Sequence, residues 1–234
     1  MFIWDPRYLL FALPALLLVF YAQIRVKSAY GRYSRKPNKR GISGYEAARI
    51  LLRSIGLDHI PIEKASGRLG DHYDPAKKVL RLSAGVANGR SVASLGIAAH
   101  EVGHVMQDAT NYAPLRLRAG LVPAVKIGSW LGPAIFFLGF FLSSATGSTI
   151  IAWIGLFLFA GTVVFALISL PVEFNASSRA QQLLRTYQLA DGQELKETKQ
   201  VLDAAALTYV AALAQALSTM LYYVFLLTGF SRRD

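Results

Sequence analysis

Four long apolar blocks constrain the fold of this chain more than any other feature. They cover roughly residues 8–24, 120–143, 149–170 and 207–230, and each is near the length of about 20 residues that crosses the hydrocarbon core of a bilayer. Charged residues make up only 17% of the chain, whereas about a quarter of the residues of soluble domains are charged. The sequence therefore predicts a mainly α-helical, multi-pass membrane protein with about four transmembrane helices.

The first apolar block has two interpretations, a cleaved signal peptide or a retained anchor. Most of the positive charge beside it follows the apolar run, and no small-residue cleavage site precedes Arg25. A signal peptide has the opposite arrangement, with its positive charge in front. We therefore interpret the block as an anchor whose N-terminus lies outside the cell.

Basic residues predict the orientation of the spans and also bear on possible partners. Seven of the 25 lysines and arginines follow the first block directly, as is typical of cytoplasmic loops. Segments 31–118 and 171–206 are charged and are expected in the cytoplasm, while the uncharged link 144–148 suits the outer face. The formal charge of +11 could indicate a nucleic-acid partner. Because the basic run lies where a topology determinant belongs, we expect the bilayer as partner and no nucleic acid.

These blocks divide the chain into five segments. Three are membrane-embedded, and the two between them are expected to form a cytoplasmic domain with an H-E-x-x-H helix. The predicted segments are the N-terminal anchor 1–30, the cytoplasmic segment 31–119, the transmembrane hairpin 120–170, the cytoplasmic helical segment 171–206 and the C-terminal transmembrane helix 207–234.

Short local patterns in segment 31–119 predict two helices and a small β-hairpin. Ser43 and Ser91 can each cap a helix. Between the helices, a turn containing proline precedes a run that alternates apolar and polar residues, as half-buried strands do. The predicted elements are helices at Tyr45–Ile55 and Ser91–Ala109, an extended stretch at Ile60–Leu69, a turn at Asp74–Lys77 and a strand at Val79–Ser83.

Residues 100–104 read His-Glu-Val-Gly-His and match the pattern H-E-x-x-H. Residues four apart lie on one face of a helix, so His100 and His104 can both reach one zinc ion. The chain has no cysteine, so any metal must be held by histidine and carboxylate. Glu101 can act as general base on a zinc-activated water. The alternative, a buried helix with two satisfied histidines, leaves a costly set of ionisable groups without a role.

A catalytic zinc site needs a third protein ligand and an open position for water. His59, His72 and the remaining carboxylates are candidates. Glu173 is favoured because it follows the third apolar block by three residues, and an isolated carboxylate beside a span indicates a functional site. The alternative is a glutamate at a helix start just after Pro171, stabilised by the helix dipole.

The motif and the stretch around Glu173 together resemble a known family. HEVGH, with the later stretch PVEFNASSRA, is similar to the gluzincin membrane proteases, including the HtpX-like and CAAX prenyl protease groups. Residues 67–83, 89–107, 170–180 and 202–213 resemble, in the same order, the bacterial YugP-type neutral zinc metallopeptidases. The resemblance implies an α-helical membrane protease with Zn²⁺ at His100, His104 and Glu173, and with Glu101 as catalytic base.

The chain departs from the wider pattern at one position. The third-ligand helix of HtpX-like proteases usually reads E-x-x-A-D, and its Asp can orient a ligating His. The matching position here is Ser177, with Asn175 two residues earlier. Because such partners fix the orientation of a ligating imidazole, we expect Ser177 to hold His100 less firmly. This affects catalytic strength more than metal binding.

Three further features have both functional and structural interpretations. Asp108, one turn after His104, could orient a ligand or lie on the surface. The cluster Asp71–Asp74 could border the cleft, with Val79–Ser83 as an edge strand that pairs with substrate, or it could form a polar hairpin tip. Tyr209 could donate a hydrogen bond to an oxyanion or belong to an interfacial tyrosine belt.

The favoured function is a membrane-embedded, zinc-dependent endopeptidase of the cell membrane. It would hydrolyse peptide bonds of membrane-associated or unfolded proteins at the cytoplasmic face. The alternative is a zinc-binding membrane scaffold or pseudoprotease without turnover. The intact Glu101 disfavours the scaffold, since a structural zinc site has no use for a general base. Such sites also usually close with four protein ligands. A transporter is disfavoured because the motif lies outside all four apolar blocks.

Overall fold

The computed structural model describes residues 6–65 and 70–230, which form seven helices and one three-stranded sheet. Residues 66–69, part of the predicted extended stretch, lie outside the described residues. In chain order the elements are α1 (Pro6–Tyr33), α2 (Gly44–Ser54), β1 (Ile62–Lys64), β2 (His72–Asp74), β3 (Val79–Leu82), α3 (Ala84–Asn88), α4 (Val92–Ala109), α5 (Ala113–Thr146), α6 (Ile150–Thr186) and α7 (Gly192–Phe230).

Helices α1, α5, α6 and α7 are long and apolar enough to cross a membrane. Each contains one of the four apolar blocks, so the predicted multi-pass helical protein with a small hairpin is confirmed. The helices extend past the blocks: α6 continues to Thr186 and α7 already begins at Gly192. These extensions bury Leu184 and Leu202 in an apolar core, so packing stabilises them where the sequence itself is less apolar.

The chain forms two compact units, and each long helix contributes residues to both. The first unit comprises the described parts of Met1–Tyr21, Leu117–Leu170 and Thr208–Asp234. Within it α5 and α6 approach closely at glycines, since a Cβ on Gly139 or Gly155 would lie 2.2 Å from a backbone nitrogen of the facing helix. Small residues of this kind allow membrane helices to pack tightly.

The second unit comprises Ala22–Arg116 and Pro171–Leu207. Its core surrounds α4, which is buried on nearly every side, as expected of a helix that is apolar all round. Helix α2 packs against α4 with a face that includes Leu51 and Leu52. The predicted start of α2 is confirmed: Ser43 and Glu46 form a capping box. Ser91 caps α4 as predicted, accepting a hydrogen bond from the backbone of Ser94.

The sheet of the second unit contains a hairpin at the predicted turn, and a third strand, β1, lies within the predicted extended stretch Ile60–Leu69. Strand β2, the first arm of the hairpin, was not among the predicted elements. Strand β3 pairs antiparallel with β2, and the Asp74 carboxylate accepts hydrogen bonds from the backbone of Ala76 and Lys77 in the turn. On its other side β3 pairs parallel with β1. The prediction that Val79–Ser83 is an edge strand is therefore wrong, because the backbone of β3 is paired on both sides. It has no free edge for a substrate.

Candidate metal centre

Helix α4 presents both histidines of the motif on one face. The imidazoles of His100 and His104 have centroids 4.8 Å apart and planes at 88°, as the four-residue spacing predicts. Glu101, the residue between them in the motif, is only 6% exposed, and His104 is 9% exposed. The motif therefore lies in the interior of the unit.

Helix α6 supplies the third group of the site. Oε2 of Glu173 lies 3.2 Å from Nε2 of His100 and 3.7 Å from Nε2 of His104. Glu173 is 4% exposed. Because Pro171 lies inside α6, the interpretation of Glu173 as a helix-start residue is wrong; it is interior to a continuous helix.

The approach of α4 to α6 depends on Gly103. A Cβ on this residue would lie 2.5 Å from the carbonyl oxygen of Ala176 on α6. Real Cβ atoms do not come this close to a backbone oxygen, so any larger residue would push the helices apart. The glycine of the HEVGH sequence is thus what lets Glu173 come within reach of both histidines.

The donor set fits a zinc ion. Tetrahedral zinc with ligands at about 2.0–2.2 Å needs ligand atoms roughly 3.4 Å apart, and the two histidine–glutamate distances of 3.2 and 3.7 Å bracket that value. One ligand atom from each of His100, His104 and Glu173 lies within 4.8 Å of the others. Three protein ligands leave one position for water, as in catalytic sites.

The other two histidines do not join this group. His59 is exposed on the surface. Nδ1 of His72 lies 2.7 Å from the carbonyl oxygen of Gly70, and its Nε2 lies 3.3 Å from the guanidinium of Arg81. His59 and His72 therefore remain outside the metal centre.

Burial and neighbouring charges set the protonation of the site. Burial raises the pKa of the Glu101 carboxyl group, and the charges of His100 and His104 oppose this effect without cancelling it. Burial lowers the pKa of the His104 imidazole, but contact with Glu173 and the charge of Glu101 more than offset it, so the pKa lies above its usual range. Without a metal, Glu101 and His104 therefore each hold a proton to higher pH than the same groups would in water.

Each histidine has a polar partner on its Nδ1 atom. Ser177 Oγ lies 3.2 Å from Nδ1 of His100, at the position that the sequence identified as the partner. Gln107 Oε1 lies 2.9 Å from Nδ1 of His104, and Gln107 is not among the site residues predicted from the sequence. Its position three residues after His104, on the same helical face, was the available signal.

The secondary candidates have other contacts. Asp108 accepts hydrogen bonds from the Tyr73 hydroxyl, at 2.7 Å, and from Lys78, so it ties α4 to the hairpin. The Asp71 carboxylate accepts from the backbone and the hydroxyl of Ser83. Both contacts support the interpretation of the Asp71–Asp74 cluster as part of the hairpin structure.

Tyr209 belongs to the first unit, where the guanidinium of Arg118 lies 5.9 Å from the centre of its ring. Its role as an oxyanion donor stays a prediction.

Two imidazoles from an H-E-x-x-H helix and one glutamate from a second helix define the class of zinc metallopeptidase sites. Comparison with known proteins gives the family. The profile of the family described as "Putative neutral zinc metallopeptidase" matches residues 8–228, and the chain belongs to that family. The family predicted from the sequence is confirmed, and with it the enzyme class, a zinc-dependent hydrolase of peptide bonds.

One similar protein is described as a membrane protease. The chain is 42% identical over 217 residues to "Putative membrane protease YugP" of Bacillus subtilis (strain 168). The match covers 93% of this chain and 95% of the relative. No solved structure gives a significant match to the chain.

Proposed function

We propose that the protein is a membrane-embedded endopeptidase that cleaves membrane-associated or unfolded polypeptides at the cytoplasmic face. The observation that carries this proposal is the convergence of His100, His104 and Glu173, whose ligand atoms lie within 4.8 Å of one another beside the buried Glu101. A purely structural zinc site has no use for this additional carboxylate.

Each residue has a distinct part in the proposed reaction. His100, His104 and Glu173 would hold the zinc ion. When bound, zinc would polarise the peptide carbonyl and acidify a water molecule. Glu101 would take the proton from that water and pass it to the leaving amine. Because burial raises its pKa, Glu101 holds a proton more readily than an exposed glutamate does, which suits a group that must both accept and return one.

The cytoplasmic location rests on the distribution of charge. The segment 31–118 that carries the motif is rich in lysine and arginine, and the segment 171–206 that carries Glu173 is charged, whereas the link 144–148 has no charge. Glu173 follows the third apolar block directly along the chain. We therefore expect substrates that are juxtamembrane or that reach the site as unfolded chains.

The catalytic proposal is tested with three purified variants and the wild-type protein. Glu101→Gln removes the base, Glu173→Ala removes the third ligand, and Glu63→Gln changes an exposed carboxylate of β1 that is outside the site. Zinc content and cleavage of an unfolded protein are measured for each. We expect Glu101→Gln to retain zinc and lose cleavage by roughly 100-fold or more, and Glu173→Ala to lose zinc. Glu63→Gln should behave as wild type.

Two outcomes would contradict the proposal. Wild-type protein that binds zinc but cleaves neither unfolded substrates nor itself would favour the scaffold. Full zinc affinity in Glu173→Ala would remove Glu173 from the ligand set.

Orientation is tested separately with reporter fusions at Thr146 and Gly192. The proposed topology expects an external signal at Thr146, where α5 ends, and a cytoplasmic signal at Gly192, where α7 begins. A cytoplasmic signal at Thr146 would overturn the orientation without affecting the zinc chemistry.

A further inference from the structure

A fully buried amide lies behind one of the two histidines. Gln107 has an exposed fraction of 0% and uses both ends of its side chain. Its Oε1 lies 2.9 Å from Nδ1 of His104. Its Nε2 donates hydrogen bonds to the backbone carbonyl of Val172 at 2.8 Å and to Oδ1 of Asn175 at 3.0 Å. Gln107 therefore connects the H-E-x-x-H helix to α6 beside Glu173.

The direction of these hydrogen bonds is fixed by groups that have only one possible role. The carbonyl of Val172 can only accept, and the guanidinium of Arg179 can only donate. Nε of Arg179 lies 2.8 Å from Oδ1 of Asn175, so this end of the Asn175 amide must be its oxygen. Both acceptors then require the NH₂ end of Gln107 to face α6. Its oxygen is left to face His104.

We propose that Gln107, held by Asn175 and Arg179, is a positioning residue that fixes the tautomer of His104. Because Oε1 of Gln107 can only accept, Nδ1 of His104 must carry the proton that it receives. The lone pair of the neutral imidazole then lies on Nε2, the atom that faces Glu173 and that would bind the zinc ion. The inference rests on the proposed zinc site. It attributes the orientation of His104 to a chain of hydrogen bonds that runs from Arg179 through Asn175 and Gln107.

The hydrogen bond that holds His100 does not select one tautomer of the imidazole. Ser177 Oγ lies 3.2 Å from Nδ1 of His100, and a hydroxyl can either donate or accept. Ser177 therefore stabilises either tautomer of His100. The two histidines thus differ in how strongly the protein selects the ligating nitrogen, and the selection is stronger at His104.

The test uses full-length protein in detergent and a matched pair of substitutions at one position. Asn175→Asp keeps an oxygen that accepts from Gln107 and Arg179, whereas Asn175→Leu has a similar volume and removes the acceptor. Gln107→Met removes the amide itself. Zinc affinity is measured by competition with a chromophoric chelator. We expect roughly 10–100-fold weaker binding for Gln107→Met, as for other residues that orient metal ligands, a loss in Asn175→Leu, and near wild-type binding in Asn175→Asp.

A second readout reports the tautomer directly and needs no metal. In a background with the exposed residues His59 and His72 changed to glutamine, His100 and His104 are the only labelled histidines. Their ¹⁵N chemical shifts in metal-free protein at alkaline pH distinguish protonated from unprotonated ring nitrogens. We expect His104 to be protonated on Nδ1 in the wild-type sequence and in Asn175→Asp, and to populate both tautomers in Gln107→Met.

Unchanged zinc affinity in Gln107→Met, or equal losses in the two Asn175 variants, would overturn the inference. Nε2 protonation of His104 in the metal-free wild type would do so too. Failure of the wild type to bind zinc would instead count against the proposed function. In that case the nitrogen shifts still decide whether Gln107 sets the tautomer.

Discussion

Glu101 has an environment that suits proton transfer. It is buried between two histidines of the same helix, and burial raises its pKa against the attraction of their charges. A carboxyl group with a raised pKa holds a proton nearer to neutral pH, where a general base and acid works best. The negative charge of the neighbouring Glu173 also raises the pKa of Glu101.

The raised pKa of His104 predicts that zinc binding releases protons. Without metal, the His104 imidazole stays protonated at pH values above the usual pKa of histidine. A ligating imidazole, in contrast, must be neutral. Zinc affinity should therefore fall as the pH is lowered through this raised pKa and level off above it. Calorimetric titrations in buffers of different ionisation enthalpy measure the protons released. A proton count of zero near neutral pH would contradict the prediction.

Ser177→Ala tests how much the hydroxyl beside His100 contributes. Removal of its contact with Nδ1 of His100 should weaken zinc binding by about 10-fold, the lower end of the range for such partners, because a hydroxyl selects no tautomer. Ser178→Ala, at an exposed neighbouring position of the same helix, is the control and should leave zinc affinity unchanged. A larger loss for Ser177→Ala than for Gln107→Met would show that the stronger support lies at His100.

At the scale of secondary structure, the crossing of α4 and α6 determines whether a metal centre exists. Gly103 lies against the backbone of Ala176, and Glu173 and Ser177 flank that residue on α6. Zinc binding and helix packing are consequently coupled at this point. A change that separates the helices by a fraction of an ångström also separates the ligands.

Gly103→Ala should therefore reduce both stability and zinc affinity. The added methyl group would lie 2.5 Å from a carbonyl oxygen, and overpacking of this kind costs about 1–3 kcal/mol. Thermal unfolding of the metal-free protein and chelator competition measure the two effects. Gly31→Ala is the control, because Gly31 lies inside α1 with nothing within 4 Å of its added Cβ, and alanine is the better helix former. Normal zinc affinity in Gly103→Ala would refute the coupling.

A second element-level contact ties the hairpin to the end of α4. The buried hydroxyl of Tyr73 donates to Asp108 at 2.7 Å. Tyr73→Phe should lower the free energy of unfolding by about 1–3 kcal/mol, since hydrogen bonds to charged groups contribute roughly that much. Tyr45→Phe, which changes an exposed tyrosine of α2, is the control. Equal stability of both variants in a denaturant titration would contradict the prediction.

At the scale of the whole molecule, the two units use the same long helices but different stabilising forces. The first unit exposes many large apolar side chains of α5 and α6, including Trp130 and Phe157, as expected for surfaces that face lipid. The second unit instead buries a continuous apolar core around α4, as soluble domains do. Helix α6 is therefore exposed and apolar over its first part and forms the core over its second part, through Leu183 and Leu184.

Packing of the first unit should be most sensitive where glycine permits helix contact. A Cβ on Gly139 would lie 2.2 Å from the backbone nitrogen of Ala152, so Gly139→Ala should lower the melting temperature in detergent by several degrees. Gly161→Ala serves as the matched control on α6, where nothing lies within 4 Å. Similar melting temperatures for the two variants would exclude close α5–α6 packing in the folded protein.

Local patterns predicted the elements well, whereas pairing across the chain was less predictable. The Ser43 cap and the Asp74 turn depend on contacts two or three residues apart, which the sequence displays directly. The parallel partner of β3 is β1, and Ile62 pairs with Leu80, far outside the range of a local turn. No local signal identifies this pairing. The role of Gln107 was missed because its donors reach Val172 and Asn175 on another helix.

The sequence by itself determined the four apolar helices and the supply of metal-binding groups. Both depend on short-range properties: the length of an apolar run and the four-residue spacing of His100 and His104. Only the tertiary structure decided that Oε2 of Glu173 lies 3.2 Å from His100, that Gln107 faces His104, and that β3 has no free edge. These facts depend on the close crossing of α4 and α6 at Gly103 and on strand pairing, which join residues far apart in the chain.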